Sequence, residues 1–150
     1  MTMTDLVSLS EIDSNRFGVN IARSNLATSG NLASVLEFCK EKQVDLLISR
    51  CGSTDIASVH AMEKAGFLLM DTLVYLKKDL RDYSPQSFQS DVNYRTVKPD
   101  DIPQVVEVAR SSFSGYRGHY HADPRLDAQK ATEAYASWAE RCCEDPSVAA

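Results

Sequence analysis

The chain has 150 residues, 43% of them hydrophobic and 25% charged, and carries a formal net charge of −5 at pH 7. That length can bury a core, and that balance is the composition of a folded domain rather than a disordered chain. The mild acidity, with basic residues dispersed singly or in pairs such as Lys77 and Lys78, excludes a nucleic-acid surface, and no apolar run reaches the ~20 residues of a membrane span.

The opening residues, MTMTDLVSLSEID, bring acids and hydroxyls where a secretion signal needs a positive start and an apolar run. A cytoplasmic location is therefore expected. Cys39, Cys51, Cys142 and Cys143 have no CxxC spacing, so reduced thiols are expected too.

FGVNIARSNL (17–26) reads as a strand, with Phe17, Val19 and Ile21 on one face. Leu32, Val35, Leu36 and Cys39 fall at helical spacing and predict a helix over 31–43. VDLLIS (44–49) is a short strand of the doubly buried kind. A second helix is expected from about Asp55, capped by Ser53 or Thr54 and stopped by Gly66 in the left-handed conformation. FLLMDTLVYLK (67–77) reads as a further strand. Strand, helix, strand, helix, strand implies an α/β layer whose first two strands run parallel through a crossover.

After this lobe (1–80) the polar stretch RDYSPQSFQSDV (81–92) has no period and reads as a linker. A second unit (93–150) begins with a strand at 94–97. A helix follows, with Asp100 as cap, Pro103 in its first turn and a stripe of Ile102, Val105, Val106, Ala109 and Phe113. The loop SGYRGHYHADPRL (114–126) leads into a last helix over 127–142. Its stripe of Ala131, Ala134, Tyr135, Trp138 and Cys142 is expected in the core.

Two segments carry a family resemblance. DIASVHAMEKAGF (55–67) resembles the helix of GNAT-type N-acetyltransferases that reads N-x-x-A-x-x-L-Y-E-K-x-G-F. YRTVKPDDIPQVVEVARSSF (94–113) resembles the first strand and helix of such a domain. With DSNRFGVNIAR (13–23), DPRL and YASW, their order resembles the sugar-nucleotide N-acetyltransferases of the dTDP-fucosamine acetyltransferase type. The fold implied is α/β (α+β), a GNAT-like mixed sheet: a degenerate front lobe, then the first strand and two helices of a second GNAT domain.

The resemblance implies acetyl-CoA as co-substrate, no metal, and a small-molecule primary amine as acceptor, such as an amino-sugar nucleotide. A homodimer is a further partner to expect. In that family, backbone N–H groups of a Q/R-x-x-G-x-G/A turn hold the coenzyme pyrophosphate and a Tyr protonates the leaving thiolate. In the front lobe that turn would fall on RSNLATSGN (23–31), which lacks the pattern, and the Tyr position holds Met62. In the second unit both parts would lie beyond Ala150. The expectation is thus a chain that stops before the acetyl-CoA site, with no catalytic or cofactor-binding residue of its own. The alternative is a non-catalytic GNAT-like interaction or dimerisation module.

The resemblance puts the acceptor beside the loop, where Tyr116, Arg117, His119, Tyr120, His121 and Asp123 are the candidate substrate-binding residues. Aromatic faces suit a ring, and the Arg117 fork suits a phosphate. HYHAD (119–123) also matches the start of an H-x-H-x-D metal motif, a reading outweighed by the polar loop because Pro124 follows. His60 reads as a structural histidine, and Asp55 as a partner of the helix dipole.

Overall fold

The computed structural model describes residues 6–81, 93–145 and 147. Two units divide the chain, Met1–Leu69 and Met70–Ala150. Among the described residues the fold is mixed α/β, with one three-stranded mixed sheet and six α-helices.

The first unit holds the sheet. Its order is β1 (Val7–Leu9), β2 (Ile21–Ser24), β3 (Leu46–Ser49). The first pair is antiparallel, with Val7 opposite Ser24, and the second parallel, with Ile21 opposite Leu46 and Ser24 opposite Ser49. The parallel pair is joined by helix α2 (Leu32–Glu41), as the alternation of patterns predicts. Leu6, Val7, Ala22 and Val35 form one core cluster, with Phe38, Cys39, Val44 and Leu47 packed on it. The turn from α2 into β3 is braced by Asn20, whose Nδ2 donates to the carbonyls of Lys42 (2.8 Å) and Gln43 (3.0 Å). This holds Gln43 at φ 53°, a left-handed conformation unusual for a residue other than glycine.

Three expectations for residues 1–80 need correction. Strand β2 is shorter than 17–26, because Phe17 closes a helix, α1 (Glu11–Phe17), that ends at Gly18 with φ 76°. Asp13 in α1 is 3% exposed and gathers the Ser10 hydroxyl (2.6 Å), Arg16 Nη1 (3.4 Å) and Arg23 Nε (2.6 Å). That polar cluster ties the helix to β2 more firmly than the alternation of Phe17, Val19 and Ile21 could extend the strand. Next, the cap of helix α3 (Ile56–Lys64) is Asp55, not Ser53 or Thr54. Lastly, 67–77 is not a strand: among the described residues β3 pairs with β2 alone, and without a ladder partner the segment stays outside the sheet. Gly66 does take the left-handed stop, at φ 88°.

In the second unit, 94–97 is likewise not a strand. The Arg95 guanidinium meets the carboxylate of Asp101 instead, Nη2 reaching Oδ1 at 2.8 Å. Asp101 also accepts the Lys98 N–H at 2.9 Å, closing a 3-10 turn (Pro99–Asp101) ahead of helix α4 (Ile102–Ser112). Asp101 rather than Asp100 therefore holds the N-cap position of α4, with its carboxylate turned back to the 3-10 turn instead of to an amide of the helix. Helices α5 (His119–Ala122) and α6 (Ala128–Glu144) follow. Helix α4 packs along α6, in which Ala131, Ala134 and Ala136 are buried. Arg110 joins the two helices, its Nε at 2.6 Å and Nη2 at 3.1 Å from the two carboxylate oxygens of Glu133, with Glu107 at 2.6 Å. Trp138, expected in the core, is 46% exposed. The stretch 81–92 read as a linker lies, apart from the exposed Arg81, outside the described residues.

Candidate functional site

The loop between α4 and α6 turns sharply because its two glycines allow it. Gly115 sits at φ 79°. Gly118 lies where a Cβ would come within 2.5 Å of Tyr116 Cε1 and 2.7 Å of the Tyr135 hydroxyl. Without side chains at these points, the chain folds back onto α6 and forms the single turn of α5. Asp127 then opens α6 by accepting the Lys130 N–H at 2.9 Å.

Most of the candidate side chains gather around Tyr135. Its ring stacks on Phe113 (centroids 4.1 Å apart, 11° between planes) and on His121 (6.0 Å, 13°), and meets Tyr116 edge-on at 5.3 Å. Tyr120 is buried and lies 6.5 Å from Tyr135 and 4.1 Å from the His119 ring. Offset-stacked and edge-to-face pairs suit the ring quadrupole. Burial of Tyr135 raises its phenol above the ordinary value, and the charges of Tyr116 and Asp71 act in the same direction.

His121 Nε2 lies 3.2 Å from Thr132 Oγ1, whose own proton goes to the Ala128 carbonyl at 3.2 Å. Thr132 Oγ1 then accepts from Nε2, and the other ring nitrogen is Nδ1. That Nδ1 is buried with no hydrogen-bond partner among the described residues.

Asp123 is 5% exposed and fully engaged by Arg125, through Nη2 (2.5 Å), Nε (2.9 Å) and the backbone N–H (3.0 Å). Hydrogen bonding from that guanidinium holds its carboxyl below the ordinary range. Among the described residues no group of three or more His, Cys, Asp or Glu is placed to hold a metal ion. Arg117 joins none of these contacts: it is exposed, with no hydrogen bond or ion pair among the described residues.

So the structure brings Tyr116, His119, Tyr120 and His121 together, turns Asp123 to Arg125, and leaves Arg117 facing solvent. The centre of the cluster, Tyr135, reads in the sequence only as one member of a helical stripe. Its distinguishing signal is Thr132 one turn earlier on the same face, which becomes meaningful once the loop folds back.

In the first unit, the turn over 23–31 is closed by its own hydrogen bonds. The Ala27 N–H goes to the Arg50 carbonyl (2.9 Å), the Thr28 N–H to Asn31 Oδ1 (2.7 Å) and the Ser29 N–H to Ser58 Oγ (2.8 Å). The N–H groups of Asn31 and Leu32 both reach the Thr28 carbonyl. Ser58, fully buried, passes its own proton to Asp55 at 2.5 Å, and this bond lowers the Asp55 carboxyl. Met62 is buried against Ala27 and Leu32, while His60 is exposed. All four cysteines are free and half-buried, and burial pushes the Cys39 thiol up.

Among the described residues no helix is long and apolar enough to cross a membrane. A scan against protein-family models and searches of curated proteins and solved structures returned no match to this chain.

Proposed function

We propose that the chain is part of a GNAT-type N-acetyltransferase that transfers acetyl from acetyl-CoA to a primary amine, with an amino-sugar nucleotide as the acceptor class. The observation that carries this reading is the segment 55–67. Its sequence resembles the family helix, and it occupies a helix capped by Asp55 and stopped by left-handed Gly66, following a parallel β–α–β unit. That arrangement is compatible with a degenerate GNAT lobe. Within such a lobe no residue of this chain carries the transfer: Met62 has no proton to give a leaving thiolate, and the amides of 27–29, 31 and 32 are already bonded.

For acceptor contact, Arg117 is the supported candidate, since its planar fork is exposed and suits a phosphate. Tyr116, with one face exposed, is the second. Tyr120, His119, His121 and Asp123 act as the frame beneath them. The first test is calorimetry of the 150-residue chain with acetyl-CoA. No measurable heat is expected, and micromolar binding overturns the account of 23–31. The decisive observation is acetyl-CoA-dependent acetylation of an amine by the product of the whole reading frame.

The closed turn also favours a second reading, a GNAT-like module kept for interaction rather than catalysis. A Q/R-x-x-G-x-G/A turn encoded after Ala150 favours the enzyme, and its absence the module.

A further inference from the structure

Residues 70–80 (MDTLVYLKKDL) form neither helix nor paired strand, and the large apolar side chains there stand in water, from 60% exposed at Leu73 to 93% at Leu76. Paired as a strand, the tract would present Leu73 and Tyr75 on one face and Val74, Leu76 and Leu80 on the other, with Lys78 between the last two. Contiguous apolar patches of this kind mark interaction sites. The same unit has an open apolar groove of about 520 Å³ lined by Val97, Val105, Trp138, Ala139, Cys142 and Cys143 among others.

We propose that this tract pairs antiparallel with the same tract of a second copy, on a two-fold axis through Val74. Charge selects the occupant. Centred on Val74, antiparallel pairing sets Thr72 opposite Leu76, Leu73 opposite Tyr75 and Asp71 opposite Lys77, and symmetry makes each pair twice. Both ends of the ribbon are thus closed by opposite charges, whereas parallel in-register pairing would set Asp71 on Asp71 and Lys77 on Lys77.

One backbone group sets a condition on this register. Asp71 Oδ1 accepts the Thr72 N–H at 2.7 Å, which leaves the ladder undisturbed if that N–H points outward. It points outward when Val74 forms a non-hydrogen-bonded pair, the geometry in which facing side chains come closest.

A two-stranded ribbon is marginal in water unless a face is covered. In the proposed dimer, the groove of α4 and α6 would cover the Val74 and Leu76 part of that face. Five large apolar side chains per copy and the groove surfaces together bury on the order of 1,000 Å², which approaches the size of a specific interface. The inference does not depend on the acetyl-transfer reading.

The test is sedimentation velocity of the full chain at tens of micromolar and low salt. The parent is expected to be a dimer. Asp71→Lys and Lys77→Asp place like charges at both ends, and each should weaken dimerisation about tenfold or more. An equimolar mixture of the two variants restores opposite charges at both ends and should dimerise like the parent, as should the double exchange. Far-UV circular dichroism of both variants should match the parent, since the tract is exposed. A monomeric parent, a ladder of higher oligomers, single variants that dimerise like the parent, or a mixture that stays monomeric would each overturn the proposal.

Discussion

Asp13 shows how one residue redirects the chain around it. A buried carboxylate is tolerated only where donors surround it, and here the Ser10 hydroxyl and the guanidinium groups of Arg16 and Arg23 do so. Asp13→Asn removes the charge and leaves one acceptor oxygen. The Arg23 side chain, 36% exposed, recovers part of its solvation from water. The expected loss is therefore about 1–3 kcal/mol, below that of a fully buried pair, and a urea denaturation midpoint measures it. Asp123 offers a different readout. Its carboxyl is held below its ordinary value of 3.8 by hydrogen bonds from Arg125. A depressed folded pKa means that its contribution is complete above 3.8 and is lost as pH falls through the folded value. The acid limb of stability below about pH 4 should be shallower in Asp123→Asn than in the parent. An unchanged limb would mean that the Arg125 pairing does not couple to folding.

At the scale of elements, periodicity reveals what is long and amphipathic. Helices α2, α4 and α6 form where their apolar stripes lie, although Leu36 and Trp138 of those stripes are exposed, and the parallel pair β2–β3 follows from two short apolar runs around a helix. What stayed hidden is what tertiary contacts decide. Strand β1 has three residues and α1 seven, too short for any period, and α1 is held by Asp13 rather than by an apolar face. The tract 67–77 has strand composition, yet composition cannot supply a ladder partner. The loop over 114–126 was legible as a concentration of aromatic and ionisable side chains, but not as a cluster around Tyr135. Nor does spacing show that Asp123 will be taken by Arg125 two residues later.

Ser58 gives this scale its prediction. It joins α3 to the turn after β2, accepting from the Ser29 N–H while donating to Asp55. Ser58→Ala leaves a backbone N–H without its acceptor and loosens the cap, an expected cost of about 1–3 kcal/mol. Hydrogen exchange should quicken at Ser29 more than at β2. Equal protection at Ser29 in variant and parent would place another acceptor there.

For the whole molecule, charge and exposed apolar surface oppose each other. The net charge of −5 at pH 7 keeps copies apart, while the apolar tract over 70–80 and the exposed Trp138 draw them together. The isoelectric point of about 5.1 is where the first effect vanishes. Near that pH the carboxylates are still mostly ionised, so native ion pairs such as Asp123–Arg125 and Asp13–Arg23 persist, and association is expected to precede unfolding. Light scattering across an acid titration should rise to a maximum near pH 5.1, with the far-UV spectrum unchanged. Leu76→Lys places a charge at the most exposed apolar side chain of the tract, at 93%. It should flatten that maximum by more than its small shift of the isoelectric point explains. Leu36→Lys on α2, an exposed leucine outside the tract, provides the matched charge change. If the two variants flatten scattering equally, net charge alone governs association and the apolar tract has no part in it.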